Sequence, residues 1–212
     1  MPKSLSPYGK IGQGNAKMPG TVYSIDAFAC ITGSKLATID GTPCSICYAR
    51  KLQNFRTNLG VAYRRNLEAW RAVEASKAYA AWSANMAAQI TARGTAYHRW
   101  FDFGDLQSTA MLRAIADVAI ATPTVNHWLP TQERGMLAEF TLLYGPLPAN
   151  LVVRVSASTI DGAVPKSTHS SIVVTHATAD TWPCEARMRG NQCGDCRACW
   201  NPSVKTVAYP KH

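Results

Sequence analysis

The sequence predicts an α/β fold: a parallel sheet with crossover helices, curved into a partial (β/α) barrel, with a loop-rich, cysteine-containing C-terminal segment. Three observations predict it. Short β-like runs alternate with segments of helical period; each helical segment is closed by Pro or Gly before the next run; and the cysteines are confined to the two ends of the chain. Strands that alternate with helices call for parallel pairing through right-handed crossovers.

The first strand is Val22 to Phe28 (VYSIDAF), which runs into Cys30. A loop with Gly33, Gly41 and Pro43 then delivers Cys44 and Cys47. From Asn58 to Arg93 the chain is rich in Ala, Arg, Glu and Leu, with Tyr79, Trp82, Met86 and Ile90 at helical spacing. That spacing predicts one long helix or two abutting ones, with the large residues in the core. Tyr97 to Phe103 (YHRWFDF) reads as the second strand, and GDLQS opens a helix that stops before Pro123. Thr124 to Leu129 is a third strand, PTQE a turn, and Arg134 to Tyr144 a helix closed by Gly145 and Pro146. Leu151 to Ser156 and Ser171 to Thr175 supply the fourth and fifth strands.

Composition excludes several classes. At 47% hydrophobic and 17% charged, with six Trp and eight Tyr, the chain buries a full core and is not a disordered segment. A single domain over 1–212 is expected, with a Cys-rich segment of about 177–212 packing onto it. The N-terminal stretch MPKSLSPYGKIGQGNAK lacks a signal-peptide core and no later segment is apolar enough to span a bilayer, so the expectation is a soluble intracellular protein without membrane partners. Protein partners have no signal.

The seven cysteines carry the chemistry. Cys30, Cys44 and Cys47 lie near one end, and Cys184, Cys193, Cys196 and Cys199 near the other. In a reducing compartment such clusters are metal or redox groups rather than disulfides, and an odd count does not pair completely. Cys193, Cys196 and Cys199 have the spacing of the first three ligands of a bacterial ferredoxin run, whose next position here is Ser203. A [4Fe-4S] cluster therefore draws its fourth ligand from Cys184 or from the N-terminal group. Either one cluster joins both groups and clips the two ends of the domain, or four cysteines complete one cluster and three hold a second with an open iron. Zinc is the alternative, with Cys44/Cys47 and Cys196/Cys199 as two C-x2-C knuckles, which leaves Cys193 without a role.

In such folds the chemistry sits beyond the carboxyl ends of the strands. That rule picks out Cys30, Asp102, Asp105, Glu133, Arg154, Ser156 and His176. Asp102, Asp105, Glu133 and Ser156 are read as contacts to cofactor or substrate polar groups, and Arg154 as a contact to carboxylate or phosphate. Each has a simpler role open to it: Asp105 as N-cap of a helix starting at Leu106, Glu133 as a first-turn carboxylate, and Ser156 or Thr131 as turn formers. His127, next to Trp128 in an apolar strand, reads as a hydrogen-bonded core side chain. The charge of +9 gathers in part on Arg50, Lys51, Arg56, Arg64, Arg65 and Arg71, a basic helix that could meet nucleic-acid phosphates, balance metal-bound thiolates, or simply face solvent.

Two resemblances follow. A three-cysteine loop after the first strand, with Tyr48 beside Cys47 and Gly104-Asp105 ending the second strand, resembles the architecture of radical S-adenosylmethionine enzymes. Here the Cys30–Cys44 gap is longer, the aromatic follows the last cysteine, and the carboxylate is Asp. That resemblance implies an open-iron cluster with S-adenosylmethionine as its ligand. ACITGSKLATIDGTPCSICYARK, RWFDFGDLQS, HWLPTQE and CGDCRACWNPSVKTVAYPKH resemble, in order, the gene product eighty-eight family of phage proteins. This second likeness places all seven cysteines at motif positions, adds weight to Asp102, Asp105, Gln107, Glu133 and Arg197, and implies the cytoplasm of an infected bacterium or the virion. The resulting expectation is an iron–sulfur protein of radical-enzyme-like architecture; a metal-stabilised, non-catalytic nucleic-acid-binding module is the alternative.

Overall fold

A computed structural model of the chain describes residues 6–14, 17–176 and 178–211. Most of the polar N-terminal stretch falls within these ranges, and its first five residues lie outside them. Seven parallel strands form one open sheet in the order β1-β2-β3-β4-β5-β7-β6. They are β1 (Thr21–Tyr23), β2 (Tyr97–Trp100), β3 (Asn126–Thr131), β4 (Leu151–Ser156), β5 (Ser170–Val174), β6 (Trp182–Pro183) and β7 (Thr206–Pro210). The helices are α1 (Ile31–Leu36), α2 (Tyr48–Phe55), α3 (Thr57–Ser76), α4 (Tyr79–Thr91), α5 (Thr109–Ala121) and α6 (Arg134–Tyr144). The expected α/β class with a parallel, open, partial-barrel-like sheet is what the molecule has.

The period of two along each strand separates the sheet's faces. Leu129, Leu151 and Val153 join Trp70, Trp82, Met86, Ile90, Leu112 and Ile115 in the main core, so the helices cover one face. Trp82 and Trp100 are fully buried there, with Tyr23 packed edge-on against both. His98 and His127 are buried on the same side: His98 Nδ1 lies 2.7 Å from Thr21 Oγ1, and His127 accepts from Trp100 Nε1 and meets Thr122 Oγ1 at 2.8 Å. Burial pulls His127 down to about 4, so both rings are neutral core groups, as the sequence reading of His127 expects.

The opposite face is covered by the C-terminal segment. Trp200 packs edge-on against Tyr97 of β2 and Trp128 of β3, and its indole N–H donates to the His98 carbonyl at 2.9 Å. The long helical stretch is two helices, broken where Lys77 turns left-handed at φ 57°. Strand one is shorter than expected, because Ile25 leaves the ladder to donate to the Phe103 carbonyl and residues Ala27–Ala29 tighten into a 3-10 turn. The C-terminal segment also contributes two strands that the sequence reads as loop: β7 pairs along its whole length with β5, and β6 pairs with β7.

Candidate functional site

The loop after β1 builds the first cysteine group. Gly33, in α1, is the point of closest approach: a Cβ there would lie 3.0 Å from Cys30 Cβ, 3.6 Å from Cys44 Sγ and 3.7 Å from Cys30 Sγ. The Cys30 and Cys44 sulfurs thus both lie beside Gly33, where the tight contact for a Cβ would be with Cys30 Cβ. Glu133 fixes this loop from across the sheet, accepting from the Thr32 N–H and hydroxyl, both at 2.8 Å. The Asp105 carboxylate accepts from Leu106 N–H at 2.8 Å, Thr131 hydroxyl at 2.6 Å and Gln132 N–H at 2.8 Å, tying the end of β2 to the end of β3. Gly104 permits that turn with φ 83°, where a Cβ would meet Ile25 Cγ1 at 2.3 Å.

Asp105 is therefore not the N-cap of the following helix. That helix begins three residues later, at Thr109, with the Ser108 hydroxyl accepting from Met111 N–H as its cap. Asp102 accepts from the Ser24 hydroxyl, while its carbonyl accepts from the Tyr48 hydroxyl at 3.0 Å. Gln107 donates to the carbonyls of Ala29 and Asp105. The structure brings Cys30, Cys44, Cys47, Asp105 and Glu133 together: both carboxylates and both neighbouring thiols act on Cys30, adding to a burial that pushes its thiol up. Cys44 is pushed up to about 11 by burial, then by Cys47 and Asp105, with Arg50 opposing. Burial pushes Asp105 up to about 7 against the three hydrogen bonds that favour its charged form.

The second group lies on the sheet face away from the helices. Cys184, Cys193, Cys196 and Cys199 line one cavity, closed by Trp182 and Trp200. Cys184 is placed by its N–H, which donates to the Ala208 carbonyl of β7, and Cys193 by its N–H on the Lys17 carbonyl. Burial pushes Cys199 up to about 11, opposed by the Tyr209 hydroxyl, 3.1 Å from its sulfur, and by Arg154. Cys44 and Cys47 line a different cavity, so the two groups are separate sites.

Arg154 is fully buried. Its Nε donates to Cys199 O, its Nη1 to Ser170 O and Lys205 O, and its Nη2 to Ala198 O, Asn201 O and Val204 O. With every donor engaged, the guanidinium holds the loop that carries Cys199 and has none left for the carboxylate or phosphate contact expected of it. Burial lowers its hold on the proton, opposed by Tyr209 and Cys199. Ser156 lies at the end of β4, with its hydroxyl 3.2 Å from that of Ser171 and its carbonyl accepting from Arg134. His176 is exposed. Arg197 donates to the carbonyls of Gly194 and Cys196 and shapes the second loop.

Sequence reasoning missed three contributors. Thr32 holds the first loop through Glu133, Tyr209 touches Cys199, and Arg99 faces the second site. The Arg99 guanidinium lies 4.5 Å over the Trp128 ring; its charge acts on Cys193 and Cys199 on one side and on Tyr48 and Asp102 on the other. The signal for Arg99 was its position in the alternation YHRW, on the face opposite His98 and Trp100.

None of the seven cysteines is paired in a disulfide. Among the described residues no three His, Cys, Asp or Glu side chains are drawn into a ready-made metal cage. Soft thiol sulfur, gathered in two groups, is nevertheless the donor type that would suit a soft cation. Among the described residues no helix is long and apolar enough to cross a membrane.

Fold and sites together define the class, an open parallel-sheet α/β protein with two separate thiol-lined sites, one beyond the strand ends and one under the sheet. Residues 13–202, which include every cysteine, match the family model described as gene product 88, and the chain belongs to this family of phage proteins. No curated protein and no solved structure matches it.

Proposed function

We propose that the protein is an iron–sulfur protein with two centres. Cys30, Cys44 and Cys47 would hold a four-iron cluster with one iron free of protein thiolate, and Cys184, Cys193, Cys196 and Cys199 would complete the ligation of a second. One observation carries the reading: the seven thiols divide three and four, with the three beside Asp105 and Glu133 beyond the strand ends and the four around a single cavity. This division favours separate centres over one shared clasp, and it separates the two knuckles that a shared zinc site needs.

When bound, a cluster with an open iron supplies a Lewis-acid and inner-sphere electron-transfer position. The activity class that follows is redox or radical chemistry, with S-adenosylmethionine as the exogenous ligand. The chain's own residues do the rest. Glu133 holds Thr32 and through it the Cys30 loop; Asp105 fixes the adjacent strand ends. Burial raises the Cys193 and Cys199 thiols, and the positive charge of Arg99 at both and of Arg154 at Cys199 opposes that rise.

A second reading of the four-cysteine site rests on its size. The cavity measures about 20 Å³, close to one water-sized sphere, which suits a single tetrahedral zinc ion. Metal and sulfide analysis after anaerobic purification separates the readings. Iron with equal sulfide supports two clusters; zinc with iron assigns the small cavity to zinc; zinc alone sinks the iron–sulfur account. The open iron is tested by the EPR spectrum of the reduced protein, which changes on adding S-adenosylmethionine if that iron binds it and stays unchanged if it does not.

A further inference from the structure

The second cavity is open, measures about 320 Å³, and is walled by Phe28, Cys44, Cys47, Arg50, Lys51 and Asn54 among others. That volume is at the lower end of the range of small-ligand sites, about 300–1,000 Å³. Its charge is one-sided. No carboxylate lines it, and the ion pairs among the described residues are Arg113–Asp117 and Arg189–Glu185, so neither Arg50 nor Lys51 is neutralised by one. The Arg50 guanidinium is held 4.7 Å over the Phe28 ring, a rigid placement beside the thiols. Asp105 and Glu133 act on Cys44 as well, and Arg50 opposes them, so charges of both signs meet at this pocket-lining thiol.

The surface beyond the pocket extends the pattern. Lys51 lines it, and Phe55, at i+4 on the same face of α2, is 84% exposed. Arg56 follows directly, and Arg64, Arg65 and Arg71 are exposed along α3. A large aromatic left in water between cations is what a single-stranded nucleic acid uses, through a stacked base and neutralised phosphates.

We propose that this pocket takes one nucleotide of a single-stranded nucleic acid and presents it to the Cys44–Cys47 site, with phosphates on Arg50 and Lys51 and a neighbouring base on Phe55. The proposal names the substrate class for the first centre and rests on the preceding reading only for what faces the nucleotide. A duplex keeps its bases paired and stacked, and cannot place one there. A free mononucleotide reaches the pocket but not Phe55.

The test is fluorescence anisotropy of a labelled, mixed-sequence single-stranded oligonucleotide with the full chain, across salt. F55A should weaken binding by about fivefold or more, the loss of one stacked base. R50Q/K51Q should weaken it and reduce the slope of log affinity against log salt by about 1.4, two phosphates' worth on a single strand. R93Q, an exposed arginine just past the C-terminal end of α4, should leave affinity within about twofold. Wild-type affinity in F55A, equal binding of the duplex, or competition by AMP at the oligonucleotide's own concentrations would each overturn the proposal, the last by making the pocket a small-molecule site. Metal content is measured on the same preparations: absent iron defeats the cluster reading and leaves the binding result standing.

Discussion

Arg154→Ala is the sharpest test of how the second site is built. The side chain is fully buried and its donors go to the carbonyls of Ser170, Ala198, Cys199, Asn201, Val204 and Lys205. Removal strands those acceptors away from water and opens a cavity. A hydrogen bond to a charged group contributes about 1.5–3 kcal/mol, and several share this one cation. The loss is offset by the desolvation penalty of the guanidinium, so the net cost is about 3–5 kcal/mol, the usual result of breaking a buried charged network. In a chain of this size that corresponds to a fall in Tm of about 6–20 °C. Thermal melts and, on chelator-stripped protein, a timed alkylation of Cys199 read it out, with Cys30 alkylation as internal control. Arg154→Lys should recover only part, because an ammonium has three donors and no planar fork. A melt within about 1 °C of wild type, with Cys199 no more reactive, would refute the account of Arg154 as the organiser of this loop.

Other consequences are independent of it. Glu133→Ala releases Thr32 and with it the Cys30 loop, so metal affinity at the first site should fall by about 10–100-fold, measured by chelator competition, with the second site unchanged. Tyr209→Phe removes the hydroxyl 3.1 Å from Cys199 Sγ; a cluster there should become harder to reduce, read as a lower midpoint potential in an EPR titration at unaltered metal content. Burial holds Asp105 up at about 7 against an unfolded value near 3.8, so the folded state binds the extra proton between those values. Its contribution to stability is full below about 4 and is lost as pH rises through 7, and the wild type minus Asp105→Asn difference in denaturation midpoint should decline over that window. A difference that stays flat or rises removes Asp105 as the cause.

Strands β2 and β4 and the helix ending at Ala121 were legible because their periods and their Pro and Gly stops act locally. The pairing of β7 was not: TVAYP is short, ends in Pro210, and owes its strand state to β5, more than thirty residues earlier. α1 is likewise hidden, since ITGSKL has poor helix propensity and is held by Glu133, a residue at position i+101 from Thr32. At the candidate site the division of the cysteines was readable from spacing, and the approach of Asp105 and Glu133 to Cys30 followed from the rule about strand ends. The role of Arg154 was not readable, because a strand arginine can serve a ligand or a loop. Only the position of residues 198–205 under the sheet decides between them.

The most direct measurement of the central claim is the iron, sulfide and zinc content of the anaerobically purified chain and of two variants, Cys44→Ala/Cys47→Ala and Cys196→Ala/Cys199→Ala. Two separate four-iron centres predict equal iron and sulfide, with each variant losing about half of both and keeping the other centre's spectrum. Zinc alone, or a loss of all metal in either variant, would contradict it.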